Sequence, residues 1–152
     1  MTRTALHLVM AAILVCSTGP LQAQSTRKPG PVAAKVYLSP TCGCCGKWAD
    51  HMKAAGFAVT REVVAELDSV PARMRVPERL RSCHTAVIEG YLVEGHIPAD
   101  LVTKLLRERP KIAGIAAPGM PLGSPGMESP NPQPYVIVAF RADGSLYEFA
   151  RR

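Results

Sequence analysis

The apolar positions of this chain fall into short runs of distinct character, separated by prolines and glycines. Residues 35–39, Lys-Val-Tyr-Leu-Ser, read as a strand that stops at Pro40. Trp48, Met52 and Ala55 recur at helical spacing, and Gly56 is placed to end that helix. Residues 57–64 are rich in β-formers and predict a second strand. Residues 65–81 hold Asp68 and Ser69 as helix caps and two prolines, which predicts short, broken helix. Residues 85–88 and 91–93 flank Glu89-Gly90 as a hairpin. Pro98 suits the first turn of a helix in which Leu101, Val102, Leu105 and Leu106 share one face. Residues 135–140 and 146–149 flank Asp143-Gly144 as a second hairpin. The expected order is β-α-β-α-β-β-α-β-β, with no internal repeat.

Two stretches fall outside this pattern. Residues 110–134 hold seven of the 14 prolines and four glycines, and predict a long loop of the kind that is functional or disordered. Its Met120 and Met127 are either apolar plugs that pin the loop to the core or soft thioether contacts to a metal. At the other end, Arg3 precedes an apolar run over residues 5–16 and a small-residue exit at Leu21-Gln22-Ala23. Residues 1–23 therefore read as a secretory signal peptide and 24–34 as a polar tether, leaving 35–152 as one domain. The run is too short for a membrane anchor, which needs roughly 20 apolar residues. A mature chain in the periplasm, with no membrane segment, is the expectation.

Composition narrows the function. The 152 residues carry a net charge of +6 and are 47% hydrophobic, as expected of a folded domain. The basic residues are scattered and aromatic residues make up only 5%, so the stacking platforms of a nucleic-acid binder are missing. Of the five cysteines, Cys16 leaves with the signal peptide, and Cys42, Cys44, Cys45 and Cys83 remain.

The chemistry concentrates in Cys42-Gly43-Cys44-Cys45. Thiols at a strand-to-helix junction face unpaired backbone N–H groups and the positive end of the helix dipole, which favours thiolate. One disulfide uses two of the three thiols and leaves the third within reach, a surplus suited to metal capture. Cys83 is followed directly by His84, so thiolates and an imidazole converge if the fold returns this segment to the start of the first helix. Cu(I) favours thiolate and thioether donors, and close thiolates can bridge several ions. Zinc is the competitor, since Cys42, Cys45, Cys83 and His84 could close a tetrahedral Cys3His site. Two other readings stay open. In one, Cys42 and Cys45 are catalytic partners in thiol-disulfide exchange; in the other, the four cysteines form two structural disulfides, although such frameworks usually spread their cysteines apart. His51, on a different helix face from Trp48 and Met52, is expected to face solvent. Trp48 is expected in the core or over the thiols.

A strand that ends in a Cys-x-x-Cys at a helix start, followed by this element order, resembles a thioredoxin-like fold, an α/β domain around a central mixed sheet. Such folds place a cis-proline before the third strand, where this chain has Cys83-His84 ahead of Thr85. Several separated motifs sharpen the likeness: the 35–45 run, Val76-Pro77, Ser82-Cys83-His84-Thr85-Ala86, Gly90-Tyr91, Glu94-Gly95-His96-Ile97-Pro98-Ala99, and the 118–127 segment with its Pro-Gly-Met repeats. Together they resemble the CopG family of exported copper-resistance proteins. That resemblance implies a thioredoxin-like fold and a copper site on Cys42, Cys44, Cys45 and Cys83, with His84 and His96 as further ligands. It also implies a role in holding or redox-cycling copper in the periplasm alongside other copper-handling proteins.

Overall fold

The computed structural model describes residues 30–152, and the expected signal peptide lies outside the described residues. The elements are β1 (Ala33–Leu38), α1 (Gly43–Ala54), β2 (Ala58–Val63), α2 (Ser69–Arg73), a 3-10 turn (Glu78–Leu80), β3 (His84–Ile88), β4 (Tyr91–Gly95), α3 (Ala99–Glu108), β5 (Gly114–Ala117), β6 (Val136–Phe140) and β7 (Leu146–Arg151). The strands form one seven-stranded sheet in the order β2-β1-β3-β4-β5-β6-β7. The β1/β2 and β4/β5 pairs are parallel and the others antiparallel, so the sheet is mixed, consistent with a thioredoxin-like fold.

Strand alternation sorts the side chains onto two faces. On one, Val36, Ala86, Ile88, Val93, Ile115, Ala117, Ile137 and Ala139 share a core with Trp48 and Met52 of α1 and Leu101, Val102 and Leu105 of α3. On the other, Ala116 and Phe140 pack with Val76 and Leu80 from the segment around the 3-10 turn. Removing a buried aromatic side chain of Trp48's kind typically costs about 3–5 kcal/mol, so α1 is firmly held.

The long loop differs from expectation. Residues 114–117 form β5, inserted between β4 and β6 and buried on both faces. A strand covered on both sides shows no polar alternation, and Gly114 is there because a Cβ would lie 2.1 Å from the Leu92 carbonyl oxygen. The rest of the segment is folded on itself: Gly123 N–H donates to the Met127 carbonyl, Met127 N–H to the Ser124 carbonyl, and Gln133 N–H to the Leu122 carbonyl. Met120 is 43% exposed and takes positive φ, so it is no core plug. Met127 is half-buried.

Register sets up the site. Antiparallel pairing puts Leu38 of β1 opposite His84 of β3, and Thr85 of β3 opposite Glu94 of β4. The end of β1, the start of β3 and the end of β4 therefore meet at one end of the strands, where α1 begins. Trp48 closes this corner by donating its indole N–H to the Ile97 carbonyl at 2.8 Å.

Candidate metal centre

Cys42 sits at the N-cap of α1, with Cys44 and Cys45 in its first turn. Cys42 and Cys45 are joined as a disulfide, and Cys44 and Cys83 are free thiols. Cys44 Sγ lies 3.4 Å from Cys42 Sγ and 3.9 Å from Cys83 Sγ. Cys45 Sγ is 3.1 Å from the Cys83 carbonyl oxygen. With the disulfide closed Cys45 carries no proton, so this contact becomes a hydrogen bond only in the reduced form.

Two histidines approach Cys83 from the other side. His96 Nε2 lies 3.0 Å and His84 Nδ1 3.5 Å from Cys83 Sγ. His96 Nδ1 is 2.8 Å from the Pro125 carbonyl oxygen, which can only accept, so Nδ1 carries the proton. The lone pair of Nε2 is thereby aimed at Cys83, the arrangement of a metal-binding imidazole whose other nitrogen is held by a carbonyl. His84 is fully buried, lies 4.4 Å from the Trp48 ring and 4.9 Å edge-on from His96, and its Nε2 has no hydrogen-bond partner. A buried nitrogen without a partner is costly unless something binds it.

The donor atoms of Cys42, Cys44, Cys45 and Cys83 lie within 4.8 Å of one another, and so do those of Cys83, His84 and His96. Cys83 belongs to both groups. The six residues singled out from sequence are thus brought together, with thiols suited to soft cations and imidazoles to Cu or Zn. The ring nitrogens that face Cys83, His84 Nδ1 and His96 Nε2, fit with the thiols as donors to a bound metal ion.

Electrostatics keeps the metal-free site neutral. Burial, reinforced by neighbouring Cys44, pushes the Cys83 thiol up to about 12. Burial and then the facing His96 bring His84 down to about 3, and burial lowers His96 as well. Burial raises the Glu94 carboxyl to about 7 against the pull of Thr85, Ser82 and Arg81.

These shifts give a pH prediction for the metal-free protein. An unfolded histidine takes a proton below about pH 6.5, whereas folded His84 stays neutral down to about 3. The unfolded state then binds more protons, so His84 makes stability fall with decreasing pH at up to about 1.4 kcal/mol per unit. Glu94 acts oppositely between its ordinary value of 4.5 and about 7, where the folded state holds the extra proton. Glu94 offsets the His84 slope from about 6.5 to 4.5, while His96, lowered in the same sense as His84, adds to the loss. Below 4.5 the offset ends, and the exposed Glu128 and Asp143 carboxyls, held below their ordinary values, add to the histidine slope. Urea unfolding across a pH series should therefore show acid loss steepening below 4.5, and a flat profile there would contradict the buried neutral imidazole.

One expectation changes at this corner. His51 is half-buried instead of solvent-facing, because the start of α3 arrives against it and Ala99 N–H donates to His51 Nε2 at 3.1 Å. The 118–127 segment also packs on the site. A Cβ on Gly126 would lie 2.6 Å from the Cys44 carbonyl oxygen, 3.0 Å from Trp48 N and 3.3 Å from His96 Nδ1. Gly126 N–H donates to Glu128 at 2.6 Å, and Ser124 is buried with its hydroxyl donating to the Pro121 carbonyl at 2.6 Å. Pro125 and Gly126 had no individual signal in the sequence, since their role arises from a contact across the fold.

Fold and site together define an α/β domain with a Cys/His cluster capable of binding metal at the strand ends. Comparison with known proteins agrees. Residues 80–127 match a family described as "Protein of unknown function, DUF411". Two solved structures, titled "Copper resistance protein copG", forms 2 and 1, are each 44% identical to the chain, with TM-scores of 0.77 and 0.76. Each alignment covers 80% of this chain and 98% of the other. No curated protein matches the chain. The chain belongs to the CopG copper-resistance family.

Proposed function

We propose that this chain is an exported, periplasmic copper-binding protein that holds Cu(I) as a thiolate-bridged cluster of more than one ion. The ligands would be Cys42, Cys44, Cys45 and Cys83, with His84 and His96 completing the set. The observation that carries this reading is the position of Cys83, shared between a four-thiol group and a Cys-His-His group. Six donors exceed what one tetrahedral ion accepts, and a shared thiolate is a natural bridge. Membership in a family whose solved members are titled copper resistance proteins supports copper over zinc. Among the described residues no helix is long and apolar enough to cross a membrane. The copper would be exchanged with other periplasmic copper-handling proteins.

The Cys42–Cys45 pair adds a redox side to this reading. Closing that disulfide releases two electrons and two protons, enough to reduce two Cu(II) ions to Cu(I). Cys44, Cys83, His84 and His96 remain as donors afterwards. The same pair supports a second reading, thiol-disulfide exchange with Cys42 as the attacking thiolate and Cys45 resolving, favoured by the pair's place at the start of α1 and its closure as a disulfide.

Anaerobic titration of the fully reduced protein, followed by metal analysis, tests the copper reading. More than one Cu(I) per chain is expected. Uptake of a single zinc without preference for copper would defeat it, and insulin reduction unaffected by bound copper would favour the exchange enzyme.

A further inference from the structure

Glu94 is a buried acid that the donor set does not use. It is 0% exposed, on β4 two residues before His96. One carboxylate oxygen accepts the Ser82 backbone N–H at 2.6 Å and the other the Thr85 hydroxyl at 2.7 Å. Ser82 and Thr85 flank Cys83 and His84 in the chain. Burying a carboxyl group is expensive unless its hydrogen bonds are made, and here both oxygens are used on the two ends of one ligand-bearing dipeptide.

His84 and Thr85 are held in the β3 ladder, and the two residues before them have little other support. Before β3 the chain has left the 3-10 turn, and Cys83 stands outside the strand, where no ladder bond can fix it. Gly95 allows the close approach: a Cβ there would lie 2.7 Å from Ser82 Oγ and 2.9 Å from the Ala117 carbonyl oxygen. Glu94 therefore ties the segment carrying Cys83 and His84 to the strand that leads into His96.

We propose that Glu94 is the positioning residue of the metal centre, clamping Ser82 and Thr85 so that the Cys83 thiol and the His84 and His96 imidazoles converge. The proposal rests on the copper-binding reading, and it specifies a geometric function for the carboxyl group. A glutamine satisfies that function: its amide oxygen accepts from Ser82 N–H, and its NH2 donates to Thr85 Oγ, whose hydroxyl rotates to accept. Leucine satisfies neither contact.

The test compares Glu94→Gln, Glu94→Leu and Thr85→Val, each in the wild-type and the Cys83→Ser background. Cu(I) retention against a colorimetric chelator and near-ultraviolet thiolate-to-copper absorption are the readouts. Outer-shell partners of metal ligands typically matter by about 10–100-fold in affinity. Glu94→Leu should weaken Cu(I) retention by about that factor, with an altered absorption band, while Glu94→Gln stays close to wild type. In the Cys83→Ser background the Glu94→Leu effect should shrink to what passes through His84 and His96, because a residue acting partly through Cys83 is not additive with its loss. A folded Glu94→Leu protein that retains Cu(I) like wild type overturns the proposal, as does an undiminished loss in the Cys83→Ser background. If Glu94→Leu does not fold, Thr85→Val decides: it removes one leg of the clamp, should weaken retention more when Cys83 is present than in the Cys83→Ser background, and overturns the proposal if it changes nothing. Failure of the wild-type protein itself to bind Cu(I) would count against the copper reading and is seen before any variant is compared.

Discussion

Cys83→Ser is expected to cut the Cu(I) bound per chain by about half or more, the largest change available from one thiol, because a hydroxyl is a poor donor for this soft ion. The reason lies in its position. Cys44 Sγ is 3.9 Å away on one side and His96 Nε2 3.0 Å away on the other, so Cys83 is the one side chain common to both donor groups. Removing any other thiol depletes a single group. The variant leaves Cys42 and Cys45 in place, so any insulin reduction by that pair should fall less than copper stoichiometry does. Metal analysis after anaerobic loading and gel filtration, run beside an insulin-reduction assay, checks both halves. Unchanged copper stoichiometry would remove Cys83 from the ligand set.

Gly126→Ala is expected to lift the 118–127 segment away from the metal centre. The added methyl would meet backbone atoms of Cys44 and Trp48 at 2.6 and 3.0 Å, in the first turns of a helix that cannot give way. The residue also has φ +85, a conformation L side chains rarely adopt. The movement must be taken up by the loop, which carries the Pro125 carbonyl off His96 Nδ1. Two consequences follow. Cys44 and Cys83 should react faster with an aromatic disulfide reagent in the metal-free protein, and Cu(I) should be retained about tenfold less tightly because His96 loses the carbonyl that orients it. Wild-type thiol reactivity and copper retention in this variant would show that the loop does not cover the site.

The sequence pattern is a good guide where burial is one-sided and a poor one elsewhere. The amphipathic stripe of α3 and the Asp143-Gly144 turn correspond to observed elements because each exposes one face or a turn to water. β5 escapes notice for the opposite reason: its four residues, Gly114, Ile115, Ala116 and Ala117, are covered on both faces and set among prolines, so nothing alternates. The candidate ligands stand out by chemical type, three thiols in four residues and a Cys-His pair. Their meeting depends on β1 pairing with β3, a long-range event that local spacing does not encode. His96 was pointed to only by the family's motif, and its tautomer depends on a carbonyl 29 residues away. His51 shows the limit of reading one helix at a time, since its face is set by the arrival of α3. A lone acid in the apolar strand before His96 was the available signal for Glu94, and its partners became visible only with the strand register.

The distribution of the donors along the chain also fixes when the centre can exist. Residues 42–45, 83–84 and 96 meet only once β1, β3 and β4 have joined, and an unfolded chain offers no more than the short thiol run near its start. Metal bound across these segments staples strands that are far apart in sequence, so the binding free energy adds to the stability of the native sheet. The complete donor set is thus a property of the assembled sheet: a chain that has not closed its sheet cannot offer it, and a metal that needed every donor would be held only by folded chains.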